Sequence, residues 1–136
     1  MSSIATLPVL VAAAAYWALG ALWYSVLFGG IWSKGLSSQG IKLAKPTKGE
    51  MTSRFIGAFV ANLVTAIAVA WIIQATGTQD SMRAVKIGLL AGVGFVGMAL
   101  ASAYAWESKP LANLLVDASY HTLGVILCAV IVTAWR

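Results

Sequence analysis

The stretch that decides the fold class lies near the C-terminal end of the chain, where residues 111–135 read LANLLVDASYHTLGVILCAVIVTAW. An α-helix needs about 20 mainly apolar residues to cross a hydrocarbon core of roughly 30 Å, and this stretch is long enough. Asp117 and His121 interrupt an otherwise apolar run. The pattern predicts a membrane-spanning helix that carries two ionisable side chains.

Three more stretches meet the same requirement for length and apolar character, at about residues 7–28, 55–74 and 85–104. The chain has 136 residues and is 60% hydrophobic but only 10% charged, whereas soluble domains are about a quarter charged. So small a chain cannot bury this much apolar surface, which excludes a water-soluble enzyme, a disordered tail and a free nucleic-acid binder. We expect an all-α, polytopic membrane protein with four transmembrane helices in one bundle, forming a single domain over residues 1–136.

The connections between the predicted helices are short and hold nearly all the charge. The longest covers about residues 33–54, and the pair Thr47 and Glu50 within it has the spacing of a capping box that opens a helix. Gly77 is suited to end the second membrane helix, and Asp80 or Ser81 is suited to begin the third. None of these connections is long enough to form a second domain.

Orientation follows from Lys and Arg in short loops, which favour the cytoplasmic side. If both termini lie outside, the inner side carries six basic residues, namely Lys34, Lys42, Lys45, Lys48, Arg54 and Lys109. The outer side then carries three, namely Arg83, Lys86 and Arg136. We therefore expect the N- and C-termini outside and the loop over 33–54 in the cytoplasm. This asymmetry and attraction to anionic lipid account for the net charge of +5 without a nucleic-acid partner.

The third predicted helix is rich in small residues, which let helices approach closely in a membrane. On a regular α-helix Gly88 and Gly92 share one face. Gly94, Gly97 and Ala101 fall on nearly the opposite face. Two faces made of small residues predict that this helix packs against two neighbouring helices. We expect either that this helix is central or that one face contacts a second subunit, and we expect a homo-oligomer.

The fourth predicted helix carries a polar stripe on one side. Its members fall within about 100° of arc on a helical wheel; they are Asn113, Asp117, Tyr120, His121, Gly124 and Cys128. A charged Asp at the bilayer centre costs roughly 2.5–3.5 kcal/mol, so the stripe must face protein or a wet cavity. His121 follows Asp117 by four residues and lies within its reach on the same face.

In the orientation given above, further polar residues gather at the same inner half of the membrane. They come from the end of the first helix and from the connection before the fourth. We expect a polar pocket that opens toward the cytoplasm, lined by Tyr24, Glu107, Lys109, Asn113, Asp117, Tyr120 and His121. The alternative is a cluster of interhelical hydrogen bonds that only fixes packing.

Other chemistries need residues that the chain lacks. A metal site needs three or four ligands at suitable spacing, and one histidine with Asp117 and Glu107 is a poor set, so we expect no metal and no cofactor. A Ser–His–Asp hydrolase could draw only on Ser25 or Ser119. Cys128, the single cysteine, has no basic activator nearby and is interpreted as a packing residue. We assign no catalytic residue.

Three runs of the sequence carry a family resemblance: GALWYS at 20–25, ESKPL at 107–111 and DASYH at 117–121. In these runs, and in the order of its four hydrophobic segments, the chain resembles the bacterial membrane family called domain of unknown function 1761. That family often has Gly at the position of Ser108 and Asn at the position of Asp117. The resemblance implies a small four-helix protein of the bacterial inner membrane, and it implies no activity.

Two functions fit these observations. In the first, a homo-oligomeric membrane protein binds or passes a small polar solute, ion or proton, with Asp117 and His121 at the polar centre. In the second, a non-catalytic scaffold or accessory subunit binds another membrane protein through its Gly-rich third helix. A membrane-embedded enzyme is the least favoured alternative.

Overall fold

The computed structural model describes residues 4–40 and 47–135, and within these ranges it consists of helices joined by short connections. In chain order the helices are α1 (Thr6–Leu27), α2 (Gly29–Ser38), α3 (Lys48–Ala75), α4 (Ser81–Glu107) and α5 (Leu111–Ala134). All except α2 are long and apolar enough to cross a membrane. The predicted all-α class with four candidate membrane spans is therefore confirmed.

The connection expected over residues 33–54 differs from the structure at both ends. Its first residues belong to the short helix α2, and its last residues form the first turns of α3. A search for apolar stretches long enough to cross a membrane does not find α2, because this helix is short and contains glycine, serine and lysine. Lys42 and Lys45, as well as Arg136, lie outside the described residues.

The predicted helix boundaries next to polar residues are confirmed. The hydroxyl of Thr47 accepts a hydrogen bond from the backbone N–H of Glu50 at 3.1 Å, as a helix N-cap requires. The carboxylate of Asp80 accepts from the backbone N–H of Arg83 at 3.0 Å and begins α4. Gly77, with φ +61°, ends the turn after α3. Polar caps thus mark where α3 and α4 begin.

Ser108 ends α4 in the left-handed conformation, with φ 54° and ψ 33°. Glycine takes this conformation at a helix end with the least strain. The backbone carbonyl of Ser108 accepts a hydrogen bond from the side chain of Gln39 at 2.7 Å. This bond ties the end of α2 to the α4–α5 connection.

The central helix is α5, which packs against α1, α2, α3 and α4. The third membrane helix, α4, packs mainly on α5 and barely touches α3. A contact of the third membrane helix with a second subunit stays a prediction, whereas its alternative, a central position for that helix, is wrong. The physical reason is that α5 carries the polar stripe, and a polar stripe in a membrane must be covered on several sides.

Close contact between α4 and α5 depends on two glycines of α4. A Cβ atom on Gly88 would lie 2.6 Å from the Cα of Ile126, and one on Gly92 would lie 2.7 Å from the Cα of Thr122. Both distances are shorter than van der Waals contact. Gly88 and Gly92 therefore form one of the two predicted small-residue faces, and this face packs against α5.

The opposite face of α4 differs from the expectation. A π-helical turn over Gly92–Gly97 adds a residue to the helix and rotates everything after it. Gly97 is consequently buried, while Gly94 is exposed and has no atom within 4 Å of its Cβ position. Ala101 is half-buried. Within this chain, Gly94 does not share a packed face with Gly97 and Ala101.

The packed core lies between α1, α3 and α5, in the half of the molecule that contains the end of α3. Small residues dominate it, and the fully buried ones include Ala12, Ala13, Ala66, Ala129 and Cys128. The first half of α3 is different, since residues 48–58 are all exposed. Space therefore remains beside this half of α3, and the candidate site occupies that space.

Candidate functional site

A cavity of about 930 Å³ lies at the end of the molecule where α3 begins, and all five helices contribute to its wall. The aromatic lining residues are Trp17, Tyr24, Trp32, Phe55, Tyr104 and Tyr120. The lining residues with ionisable groups besides tyrosine are Arg54, Lys109, Asp117 and His121. The volume falls in the range of about 300–1,000 Å³ that is typical of sites for small molecules.

The carboxylate of Asp117 is the polar centre of the cavity wall. The hydroxyl of Tyr24, from α1, donates a hydrogen bond to Oδ1, and the hydroxyl of Tyr104, from α4, donates to Oδ2. Hydrogen bonds to both oxygens offset part of the cost of removing a carboxylate from water. The result is a carboxylate fixed in position between three helices.

His121 lies one turn deeper along α5 and contacts a different tyrosine. Its Nδ1 shares a hydrogen bond with the hydroxyl of Tyr16, and the tautomer decides which group donates. The hydroxyl of Tyr120 donates to the backbone carbonyl of Tyr16 at 3.3 Å. The expected direct contact between Asp117 and His121 is not formed; Asp117 bonds to Tyr24 and Tyr104, and His121 bonds to Tyr16.

Aromatic rings hold the arrangement together. The ring of Tyr120 packs edge to face against Tyr16 at 5.2 Å and against Tyr24 at 5.3 Å between centroids. The indole N–H of Trp23 donates to the backbone carbonyl of Val116 at 3.1 Å, which fixes the π-helical turn Trp23–Leu27 of α1 against α5. Tyr24 belongs to this turn, so its orientation depends on that contact.

Five of the seven residues expected in the pocket line the cavity, and two do not. Tyr24, Lys109, Asp117, Tyr120 and His121 are in its wall.

Asn113 is only 1% exposed and lies under α2, where its side-chain N–H donates to the backbone carbonyl of Trp32 at 3.1 Å. Its position on the polar stripe is right, but the unpredicted helix α2 covers it.

Glu107 also lies outside the cavity wall, with its side chain 52% exposed. It forms an ion pair of 2.8 Å with Lys109, whose ammonium group lies 4.8 Å from the centre of the Tyr104 ring. The cause is the left-handed turn at Ser108, which separates Glu107 from the start of α5. Lys109 is therefore at the rim of the cavity with part of its charge already neutralised.

Several described residues of the site were not predicted from the sequence; they include Tyr16, Trp17, Trp32, Arg54, Phe55 and Tyr104. The spacing of Tyr16, Gly20 and Tyr24 places these three residues on one face of α1, and this signal could have found Tyr16. No comparable signal exists for Tyr104, because the π-helical turn in α4 changes which face it occupies.

The described part of the chain holds no group of three or more metal-ligating side chains. The hydroxyls of Ser25 and Ser119 bond to backbone carbonyls of their own helices, so neither is paired with His121. Cys128 is fully buried, with its sulfur 3.7 Å from the carbonyl of Ala12.

The family model described as protein of unknown function (DUF1761) matches residues 7–133. The chain belongs to this family. The match spans all four candidate membrane helices, and the domain of unknown function 1761 family carries no assigned activity. No curated protein and no solved structure matches the chain.

Proposed function

We propose that this member of the domain of unknown function 1761 family binds a small solute in the cavity, and that Asp117 is the polar anchor of the solute. The observation that carries the proposal is a carboxylate held by two tyrosine hydroxyls in the wall of a cavity of about 930 Å³. A cluster that only fixed packing would need no space beside it. Passage of the solute, an ion or a proton across the membrane is the extended form of the same proposal.

We place the protein in the bacterial inner membrane, with both termini outside and the cavity open to the cytoplasm. The excess of Lys and Arg near the start of α3 supports this orientation. Arg54 and Lys109 would then lie at the cytoplasmic rim. The lipid bilayer is the first partner, and no nucleic acid is expected.

The test asks whether a polar molecule reaches the cavity. Ala21 lines the cavity, whereas Ser119 is exposed on the other side of α5 at comparable depth. In liposomes, a water-soluble maleimide should label Ala21→Cys, and Ser119→Cys in contact with lipid should remain unlabelled. The native Cys128 is fully buried, so the unchanged protein gives the background. Equal labelling of the two variants, or labelling of neither, would refute the proposal.

A scaffold role is the second candidate, and the outer face of α4 is the observation that favours it. Gly94 has open space beside it, and its neighbours Leu90 and Phe95 are 71% and 73% exposed. This face would contact a second copy of the chain or another membrane protein. Substitution Gly94→Leu should then abolish cross-linking to that partner in native membranes while the cavity continues to bind its solute.

A further inference from the structure

We infer that the cavity selects organic monocations with an apolar body, an inference that rests on the proposed function and adds the class of the solute. The cation would lie next to the carboxylate of Asp117, and the apolar body would lie against the aromatic wall.

The charge of the cavity wall favours a cation over an anion. Asp117 is the only acidic residue among the described residues that line the cavity. The carboxylate is half-buried, so water and salt screen it less than they screen an exposed charge. An incoming anion would meet this charge at close range, while a cation would be attracted to it.

The aromatic side chains of the wall also favour a cation. Six lining residues are aromatic, and aromatic rings attract cations through the negative charge of their faces. Tyr24 and Trp32 meet at 75°, and Trp17 and Phe55 meet at 71°, so the rings do not form one flat stack. A bulky cation could therefore contact rings from several directions.

The basic residues at the rim do not reverse this preference. Lys109 is paired with Glu107 at 2.8 Å, which offsets its charge. In the proposed orientation Arg54 lies on the cytoplasmic side of the cavity, where water screens its guanidinium group. Of the described lining residues, Asp117 is then the one that contributes a negative charge to the cavity.

Two probes of nearly equal size and opposite charge, tetraphenylphosphonium and tetraphenylborate, test the inference. Equilibrium binding is measured on the full chain in phosphatidylcholine nanodiscs, with binding to empty nanodiscs subtracted. Tetraphenylphosphonium should bind saturably, and tetraphenylborate should not. Asp117→Asn should weaken cation binding by about tenfold or more, because it removes the charge and keeps the shape.

Asp80→Asn is the matched control, since it removes one carboxylate in the same way. Asp80 caps the other end of α4, about 30 Å from the cavity by helix rise, and asparagine caps a helix equally well. This variant should bind the cation like the unchanged chain. If Asp117→Asn fails to fold, Phe55→Leu on the exposed half of α3 serves instead and should weaken cation binding by about threefold.

The outcomes separate the inference from the proposal on which it rests. Tetraphenylborate binding as tightly as tetraphenylphosphonium, or Asp117→Asn binding the cation unchanged, overturns the inference. If maleimide labels Ala21→Cys but the cation does not bind, the cation class is wrong and the proposed solute-binding function remains. If the cation also protects Ala21→Cys from maleimide, both statements are supported.

Discussion

At the scale of single residues, the carboxylate of Asp117 links three helices. Asp117 belongs to α5, and its two hydrogen-bond donors belong to α1 and α4. Both bonds end on the same carboxylate, which lies within a candidate membrane span. Without these donors the cost of placing a carboxylate there would be several kcal/mol higher. Tyr24 and Tyr104 therefore stabilise the fold and shape the site at once.

We expect Tyr24→Phe to lower the free energy of unfolding by about 1 kcal/mol, because interhelical hydrogen bonds in membranes are modest. The measurement is unfolding of the purified protein in mixed micelles by titration with denaturing detergent. The control is a double-mutant cycle with Asp117→Asn, in which the two changes should be less than additive. Strict additivity would mean that the two side chains do not interact.

The residues of the site could be predicted only in part from the sequence. Helical spacing found Asp117, Tyr120 and His121, because all three lie on one side of a single long helix. The same spacing placed Asn113 in the pocket, since a helical wheel gives the side of a residue but not what covers that side. Tyr104 was missed because its orientation depends on a π-helical turn, which has no clear signature in the sequence.

At the scale of helices, the two π-helical turns determine what each helix presents to α5. The turn in α1 includes Tyr24, and the turn in α4 lies before Tyr104, so both donors to Asp117 depend on an added residue in their helix. Such turns are frequent at functional sites. The π-helical turn in α4 also separates the glycines of that helix, since Gly97 is buried while Gly94 has open space beside it.

Gly92→Leu and Gly94→Leu should differ strongly although they lie two residues apart. A side chain at Gly92 would collide with the backbone of Thr122, whereas the Cβ position of Gly94 is open. We expect Gly92→Leu to cost about 1–3 kcal/mol of stability and Gly94→Leu to cost little in the isolated chain. The same titration with denaturing detergent measures both. Equal losses would contradict the packing of α4 on α5.

Ser108→Gly should stabilise the protein by about 0.5–1 kcal/mol, because glycine adopts a positive φ with less strain than serine. Ser102→Gly is the matched control inside α4, where the same change should destabilise by about 0.5 kcal/mol. Thermal unfolding in one detergent compares the two variants. A loss of stability for Ser108→Gly would contradict the left-handed turn.

At the scale of the whole molecule, hydropathy predicts the four long helices because a bilayer demands continuous apolar runs. It does not predict which helix is central. The deciding property is the polar stripe of α5, because its Asn113, Asp117 and His121 need cover from neighbouring helices on several sides. Gly88 and Gly92 of the third membrane helix serve one close contact with α5, and contact of its other small residues with a second subunit stays a prediction.

The orientation of the whole molecule decides which compartment the cavity faces. Ser38 ends α2 near the start of α3, and Gln79 lies in the connection between α3 and α4; both are exposed. If the basic connection is cytoplasmic, a membrane-impermeant maleimide should label Gln79→Cys in intact cells with a permeabilised outer membrane. Ser38→Cys should be labelled only after lysis, and the buried Cys128 supplies the background. The reverse labelling pattern would mean that the cavity, which Arg54 and Lys109 line, opens to the outside. Any solute would then reach Asp117 from the outside.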